Sequence, residues 1–258
     1  MSPNSPSPSL SVVIPAYDEE ATLPRVVQRV VALPFVREVI VVNDGSCDKT
    51  GKIAEGLSRQ YPAVKAIHHQ FNRGESEALR TGFALARGDI VIVQDADLEY
   101  DPGEIADVIA PILAGDADVV YGSRFLVRRA ARVAYFYHYL ANRGLTFLSN
   151  LFTNVNMTDV ETGYKAFRGE IIRNMIVTSF RFGFEIEVTA KIAKLRCPIY
   201  EVPISYHGRT YEQGKKIGLT DGLAALWYIL KFNLFCSLKK SFRELPLRSI
   251  SNGVPTKA

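Results

Sequence analysis

Three short apolar runs along the chain each end abruptly in polar or acidic residues, and a helical pattern follows each of them. The runs are Leu10–Ile14, Val39–Val42 and Ile90–Val93. Uninterrupted apolar runs of this length are typical of strands buried on both faces, and strands alternating with helical patterns indicate βαβ units. The pattern therefore predicts an α/β fold with a Rossmann-like, mostly parallel central sheet flanked by helices.

Acidic and small polar side chains recur where these three strands end. They are Asp18 and Glu19, then Asp44 and Ser46, and finally Asp95 and Asp97. The carboxyl ends of parallel strands lie at one edge of a sheet, where open α/β sheets bind their ligands. We therefore expect the three clusters to converge on one crevice.

The acidic run after the third strand continues with Glu99 and Asp101. The segment from Asp101 to Glu104 has the N-cap, first-turn proline and capping glutamate of a helix start. That explanation does not account for Asp95 and Asp97. Closely spaced carboxylates suit Mg²⁺ or Mn²⁺, ions that substrate phosphates usually help to coordinate. The sequence therefore predicts a metal or diphosphate site here.

Composition is that of an ordinary globular domain, with 47% hydrophobic and 22% charged residues. The net charge of +4 is too small to indicate nucleic-acid binding by itself. The three cysteines lack a Cys-x-x-Cys spacing, which favours a reducing compartment over a disulfide framework. We expect a disordered lead-in at residues 1–9, one domain at 10–235 and a basic, loosely ordered tail at 236–258.

Seven motifs, taken in order along the chain, carry a family resemblance. They are Val13–Glu20, Val41–Ser46, Asn72–Gly74, Gln94–Asp97, Val120–Phe125, Thr158–Lys165 and Phe184–Val188. The first four resemble family 2 inverting glycosyltransferases of the GT-A fold. The last three resemble the polyprenol-phosphate (dolichol-phosphate) mannose/glucose synthases of that family. The similarity covers roughly residues 9–235.

The resemblance implies a metal-dependent inverting hexosyltransferase. Its donor would be a nucleotide-diphosphate sugar of the GDP-mannose or UDP-glucose type, and its acceptor a polyprenyl phosphate. The implied catalytic residues are Asp97, Arg124 and Arg209. The implied nucleotide-sugar contacts are Pro15, Tyr17, Glu19, Asp44, Gly74, Asp95 and Lys215. The implied ligands of Mg²⁺ or Mn²⁺ are Asp95, Asp97 and Glu99, although related synthases frequently have Gln at the last position.

Local structure offers plainer explanations for several of these residues. Glu19 fits a first-turn helix acid, Asp44 a strand-to-helix turn, and Gly74 a tight turn. Arg209 and Lys215 fit an exposed basic loop after a strand predicted at Ile199–Tyr206. These alternatives stay open at the level of sequence.

Four arginines lie in residues 124–132, directly after the predicted fifth strand. Arginine binds phosphates bidentately and keeps its charge, although a solvated basic loop is also common. The resemblance places the acceptor side here. The candidate contacts of the acceptor phosphate are Arg124, Arg128, Arg132 and His138, the last of which alternatively fits a packed core position.

Two stretches, Tyr135–Phe152 and Leu223–Leu238, are apolar at helical spacing. The second is predicted to be a C-terminal amphipathic helix; its 16 residues span about 24 Å, short of a hydrocarbon core of about 30 Å. Helical periodicity does not distinguish packing on the core from membrane binding. A lipid-phosphate acceptor favours peripheral association with the cytoplasmic face of a membrane. A membrane-protein partner or a homo-oligomer are further possibilities.

Two other functions remain open. A saccharide hydroxyl acceptor would need a carboxylate base, for which Asp159 or Glu161 is the candidate. A non-catalytic nucleotide-sugar-binding protein is the second alternative, and Asp95, Asp97 and Arg124 argue against it. The chain lacks the glycine motif of dinucleotide enzymes, a P-loop, a Gly-x-Ser-x-Gly elbow and a zinc-ligand spacing.

Overall fold

A seven-stranded sheet forms the centre of the computed structural model, which describes residues 8–126, 135–208 and 219–246. The strands are β1 (Leu10–Ala16), β2 (Val36–Asn43), β3 (Val64–His68), β4 (Ile90–Val93), β5 (Val119–Ser123), β6 (Lys165–Arg168) and β7 (Ile199–Pro203). Their order is β3-β2-β1-β4-β6-β5-β7, and β6 alone among these strands runs antiparallel to its neighbours. The predicted α/β fold with a mostly parallel sheet is confirmed.

Helices cover both faces of this sheet. They are α1 (Leu23–Val31), α2 (Thr50–Gln60), α3 (Glu75–Leu85), α4 (Ile105–Ala114), α5 (Phe136–Thr153), α6 (Gly169–Asn174), α7 (Phe184–Leu195), α8 (Leu219–Leu234) and α9 (Leu238–Ser241). Side chains alternate along each strand, so Val12 packs with α1, α2 and α4 while Val13 packs with α3, α6 and α7. α5 and α8 form an outer layer against α7.

The parallel pairing aligns the ends of the predicted strands. β4 spans Ile90–Val93 as predicted, and all four of its residues are buried. β1 pairs with β2 as far as Ala16 and Asn43, beyond the predicted ends of both strands. This register brings the polar residues that follow each strand to the same edge of the sheet.

Two local predictions are wrong in detail around β7. The strand predicted at Ile199–Tyr206 ends at Pro203, because the chain from Ser205 onward bonds to the segment after β4 instead. The Glu104 carboxylate accepts the Ser205 N–H at 2.9 Å and its hydroxyl at 2.9 Å. Glu104 is therefore not a capping glutamate, whereas Asp101 does accept the Gly103 N–H at 2.7 Å as an N-cap.

The packed body continues past the predicted domain end at residue 235. Phe242 is buried in the α3/α6/α7 core, and the Ile176 N–H donates to the Ser241 carbonyl at 2.9 Å. At the other end, the Ser9 N–H and hydroxyl both donate to Asp89 at 2.8 Å. The remaining parts of the predicted lead-in and tail, residues 1–7 and 247–258, lie outside the described residues.

The two predicted apolar helices are present as α5 and α8, each within a few residues of the predicted bounds. In residues 8–126, 135–208 and 219–246, no helix combines the length and the apolar character needed to cross a bilayer.

Candidate active site

The carboxyl ends of β1 and β2 are joined by side-chain hydrogen bonds. The Asp18 N–H donates to the Ser46 hydroxyl at 3.0 Å, and the Cys47 N–H donates to Asp18 Oδ1 at 2.8 Å. Glu19 is buried beside them; its carboxylate accepts the Thr22 hydroxyl at 2.7 Å at the start of α1. Two of the three predicted clusters therefore do meet at this edge.

Asp44 fastens the loop that follows β3. Its carboxylate accepts the Arg73 N–H at 3.0 Å, the Gly74 N–H at 2.7 Å and a bond from His69 Nδ1 at 2.6 Å. The other ring nitrogen of His69 lies 3.0 Å from the Thr81 hydroxyl. No local signal in the sequence indicates this role of His69, because its partner lies 25 positions away.

Gly74 has no room for a side chain. Its φ is +89°, a left-handed value that favours glycine, and a Cβ atom there would lie 2.9 Å from the Arg181 Cα. This close approach joins the start of α3 to the segment before α7, since Ser76 also donates to the Arg181 carbonyl. This geometry accounts for Gly74 as a glycine required by the backbone, and its contact with a nucleotide stays a prediction.

Asp95 and Asp97 lie in a tight turn directly after β4. Leu98 has a φ of +63°, and Asp97 Oδ1 accepts the Glu99 N–H at 3.0 Å. Asp95 packs against the turn before β6, where a Cβ on Gly163 would lie 2.7 Å from Asp95 Oδ2. The third cluster is thus bounded by the segment that enters the antiparallel strand.

Electrostatic repulsion marks this cluster. Burial raises the pKa of Asp95 well above its usual value, and the charges of Asp97, Glu185 and Glu99 raise it further, while Lys165 partly offsets them. Burial followed by the charge of Glu185 raises the pKa of Glu75 in the same way. Repulsion between these carboxylates destabilises their charged forms, and a bound cation would offset that repulsion.

The carboxylates of Asp95 and Asp97 are suitable ligands for a hard divalent cation whose remaining ligands come from the substrate. Mg²⁺ is commonly bound by one or two carboxylates together with phosphate oxygens, and Asp95 and Asp97 offer that number. No ready-made cluster of three or more His, Cys, Asp or Glu ligands occurs among the described residues. Oε2 of Glu99, the third predicted ligand, accepts the Tyr206 hydroxyl at 2.7 Å, and its role as a ligand stays a prediction.

Arg124 is held in a bidentate ion pair. Its Nε and Nη2 atoms donate to the two oxygens of Asp159 at 2.7 Å each, and its backbone N–H also donates to Asp159 at 3.1 Å. The guanidinium carbon lies 5.1 Å from the centre of the Tyr206 ring. This geometry fixes Arg124 at the end of β5, and it occupies Asp159 fully with a cation.

Glu161, one of the two candidate bases for a hydroxyl acceptor, has a carboxylate oxygen that is buried and unpartnered. Its Oε1 atom is closed off from solvent and has no hydrogen-bond partner. Burial, then the charge of Glu185, raises the pKa of Glu161 to about 7. Beneath it, fully buried Lys165 lies 3.9 Å from Glu185 and donates to the Thr162 carbonyl. These residues lie in two motifs that carry the family resemblance, Thr158–Lys165 and Phe184–Val188, but the sequence does not show that the motifs pack together.

The remaining predicted site residues fall at the border of the site or outside the described residues. Pro15 and Tyr17 are partly exposed at the end of β1, and the charge of Asp18 raises the pKa of Tyr17. His138 is exposed on α5 beside the Tyr135 ring, and is not in the core. Those that lie outside the described residues are Arg128, Arg132, Arg209 and Lys215.

Gly163→Ala tests the contact between Asp95 and the turn before β6. The new methyl group would clash with Asp95 Oδ2, so we expect activity in a sugar-transfer assay to fall by about tenfold or more. Gly56→Ala is the matched control, because a Cβ on Gly56 meets nothing within 4 Å. That control should gain about 0.5–1 kcal/mol of stability and keep full activity. Equal activity of the two variants would contradict the prediction.

Comparison with known proteins identifies the family to which the chain belongs. Residues 11–176 match the family model described as glycosyl transferase family 2. The dolichyl-phosphate beta-glucosyltransferase of Drosophila melanogaster is 31% identical over 222 residues, which are 79% of this chain and 68% of that protein. The dolichol-phosphate mannosyltransferase of Pyrococcus furiosus is 31% identical over 217 residues, which are 82% of this chain but only 60% of that longer protein.

A solved structure shares the fold. The glucosyl-3-phosphoglycerate synthase of Mycobacterium tuberculosis, crystallised with Mn²⁺, uridine diphosphate and phosphoglyceric acid, superposes with a TM-score of 0.70. The match covers 88% of this chain and 79% of that one at 20% identity, so it supports the fold alone. Because the family model matches more than half of the sequence, the chain belongs to glycosyl transferase family 2 and is similar to its polyprenol-phosphate sugar synthases.

Proposed function

We propose that the protein is an inverting, metal-dependent hexosyltransferase. It takes a sugar from a nucleotide-diphosphate donor, of the GDP-mannose or UDP-glucose type, and transfers it to a polyprenyl phosphate. The reaction would take place on the cytoplasmic face of a membrane, with which the protein associates peripherally. The observation that carries this proposal is the group of half-buried carboxylates around Asp95 at the strand edge, with Arg124 held at the end of β5.

The donor would lie along the ends of β1, β2 and β4. Asp44 holds the loop after β3 in place, and Gly74 lets the start of α3 pack directly against the backbone of Arg181. Asp95 and Asp97 would hold Mg²⁺ or Mn²⁺ against the diphosphate. When bound, such an ion supplies positive charge that stabilises the leaving nucleoside diphosphate.

The acceptor would approach from the side of β5. An oxygen of the acceptor phosphate attacks the anomeric carbon as the bond to the nucleoside diphosphate breaks, and the leaving group keeps the electron pair. Arg124, fixed by Asp159, would face the acceptor phosphate with its charge intact. A phosphate acceptor is already an anion, so this reaction needs no general base.

One observation favours a second candidate function, in which the acceptor is a saccharide hydroxyl. That reaction needs a base, and Asp159 is occupied by Arg124. Glu161 has an unpartnered oxygen and a pKa of about 7, which are suitable properties for a base near neutral pH. Of the two carboxylates suggested by the sequence, Glu161 is therefore the better candidate.

Glu161→Gln separates the two acceptors. If Glu161 is the base for a hydroxyl acceptor, kcat should fall by roughly 10²- to 10⁴-fold. If the acceptor is a phosphate, kcat should stay near the wild-type value, because no proton has to be removed. Initial rates with a short polyprenyl phosphate and with a saccharide acceptor, measured for both proteins, decide between them. A large loss with the lipid phosphate would contradict our proposal.

Thermal melts verify that the same variant has removed the expected charge. Burial raises the pKa of Glu161 from 4.5 to about 7, so between these values the folded state holds a proton that the unfolded state has lost. The contribution of Glu161 to the free energy of unfolding therefore falls as pH rises through this window. Glu161→Gln should match the wild type at about pH 4 and be the more stable protein at about pH 8.

The proposed reaction is tested by a transfer assay with radiolabelled nucleotide sugars, a short polyprenyl phosphate, and Mg²⁺ or Mn²⁺. Metal-dependent formation of a glycolipid would support the proposal and identify the donor. Donor hydrolysis or saccharide transfer without a lipid product would contradict the proposal that the acceptor is a lipid phosphate. Binding of donor without any turnover or metal dependence would favour a non-catalytic nucleotide-sugar-binding protein.

A further inference from the structure

The outward face of α8 is apolar where a water-facing helix is normally polar. From residue 222 onward, the exposed positions of α8 and the next residue are all apolar: Leu223, Ala224, Leu226, Trp227, Leu230, Leu234 and Phe235. The polar ends of Tyr228 and Lys231 contact other parts of the protein instead. The Tyr228 hydroxyl accepts the Phe180 N–H at 3.2 Å, and the Lys231 ammonium lies 4.9 Å from the centre of the Phe232 ring.

Helix α5 shows the same inversion. Its buried residues are Thr146 and Ser149, both polar. Its outward positions carry large apolar side chains, and Tyr137 is 81% exposed. The other exposed large apolar residues on or next to this helix are Tyr135, Phe136, Tyr139, Leu140, Phe147, Leu151 and Phe152, and the exposed polar side chains are His138 and Arg143. Hydrophobic side chains on the outside and hydroxyl groups on the inside are the reverse of a soluble surface helix.

The two helices form one continuous surface. α5 and α8 pack against each other and against α7. Leu145 and Leu148 of α5 contact the small cluster that contains Ala225 and Ile229 of α8. We call the outward residues of both helices the α5–α8 face. Single exposed apolar residues are common, but a contiguous face of this kind marks an interaction site.

Charge indicates what this face binds. The only acidic residue within α5 and α8 is Asp221, near the start of α8, and Glu244 follows α9; the Lys and Arg residues of 135–153 and 222–243 are Arg143, Lys231, Lys239, Lys240 and Arg243. Basic residues around an apolar face, with Trp and Tyr among its aromatic side chains, fit the headgroup region of an anionic bilayer. A second copy of the chain would bring like charges together, so self-association matches the charge pattern less well.

The α5–α8 face adjoins the acceptor side of the site. Arg143 of α5 donates to the Thr158 carbonyl at 3.3 Å, next to the Asp159 carboxylate that holds Arg124. We propose that the α5–α8 face lies flat in the interface of an anionic membrane and brings the acceptor end of the site to the lipid headgroups. The role given to membrane binding, delivery of the lipid acceptor, rests on the proposed function. The binding itself is inferred from the exposed apolar and basic residues and does not depend on that function.

Vesicle flotation tests the inference with the full chain. The probes are phosphatidylcholine vesicles with and without phosphatidylglycerol, and neither contains polyprenyl phosphate. The paired variant Leu223→Ser/Trp227→Ser and the single variant Tyr137→Ser remove exposed parts of the face. We expect the wild type to bind the anionic vesicles and to lose binding as salt is raised. Each face variant should bind roughly tenfold or more weakly, since each loses at least one large side chain that the membrane would bury.

Matched controls carry the same changes elsewhere on the surface. Leu113 on α4 and Tyr200 on β7 are exposed large apolar residues outside the α5–α8 face, so Leu113→Ser and Tyr200→Ser should bind vesicles like the wild type. Asp95→Asn should also bind normally, because it changes only the site. With a short-chain acceptor dispersed in detergent, the face variants should transfer sugar at the wild-type rate.

Three outcomes would overturn the inference. The wild type could fail to bind anionic vesicles, or the control variants could lose as much binding as the face variants. Alternatively, light scattering could give a dimer mass that Leu223→Ser/Trp227→Ser halves, which would assign the face to a second copy of the chain. Failure of the proposed reaction is distinguishable, because vesicle binding is measured without donor or acceptor and would then persist.

Discussion

Replacing Asp95 by asparagine is expected to reduce sugar transfer by roughly 10²- to 10³-fold while making the protein more stable. Activity should fall because the amide cannot supply a charged oxygen to a divalent cation. Stability should rise because burial and the charges of Asp97, Glu185 and Glu99 hold the pKa of Asp95 well above its usual value. The unfolded chain loses this proton more readily, so at neutral pH ionisation favours unfolding.

The pH dependence gives this prediction its sign. Above the ordinary pKa of an aspartate, the unfolded state binds fewer protons than the folded state, so the free energy of unfolding falls as pH rises. The gain from Asp95→Asn should be near zero at about pH 3 and should grow as pH rises above the ordinary pKa of an aspartate. Thermal melts without divalent ions measure it, and initial rates with Mg²⁺ or Mn²⁺ measure the loss of activity.

Asp89 provides the matched control at the opposite end of β4. Bonds from the Ser9 N–H and hydroxyl lower the pKa of Asp89, so its charge stabilises the folded state. Asp89→Asn should therefore lower stability slightly and leave transfer unchanged. If Asp95→Asn instead lowered stability and activity together, Asp95 would be a structural residue and the site assignment would be wrong.

Replacing Asp159 by alanine is expected to cost about 3–5 kcal/mol of stability, the largest effect of any single change considered. The side chain of Asp159 is 0% exposed and that of Arg124 is 15% exposed. Removal of the carboxylate would leave a buried guanidinium without its bidentate partner, and burial penalises an unpaired charge heavily. Chemical denaturation with a check for an unchanged m-value measures the loss.

The paired substitution Arg124→Met/Asp159→Leu separates stability from function. Removing both charges avoids the unpaired guanidinium, so most of the lost stability should return. Sugar transfer should not return, since the proposed contact for the acceptor phosphate is gone. Arg59→Ala is the surface control: Arg59 and Glu55 pair at 3.8 Å with side chains 74% and 55% exposed, and such pairs contribute about 0–1 kcal/mol. A similar cost for Asp159→Ala and Arg59→Ala would contradict the prediction.

Patterns of apolar residues were sufficient to predict the strands and the edge of the sheet that carries the site. Ile90–Val93 forms β4, and all four residues are buried because helices cover both faces of the sheet. Parallel pairing then puts Asp18, Asp44 and Asp95 at the same edge. The predicted end of β7 was wrong because of a long-range hydrogen bond. Ser205 donates to Glu104, which lies 101 positions earlier in the chain, instead of continuing the strand.

Partners distant in sequence decided the chemical state of the predicted residues. Arg124 is a strong phosphate candidate from its motif, yet only the fold shows that Asp159 holds two of its nitrogens. Asp159 and Glu161 are two positions apart and equally plausible as bases in the sequence. The fold pairs the first with a cation and leaves the second with an unpartnered oxygen.

The sequence by itself determined the α/β architecture, the family resemblance and the acidic edge around Asp95, because each is expressed in short segments whose spacing reflects local geometry. The tertiary structure alone decided which charges are paired, how burial shifts the pKa of Asp95 and Glu161, and that α5 and α8 turn their apolar side chains outward. A helical pattern records which residues share a face, but the direction of that face depends on what packs against it, and pairing and burial depend on neighbours far along the chain.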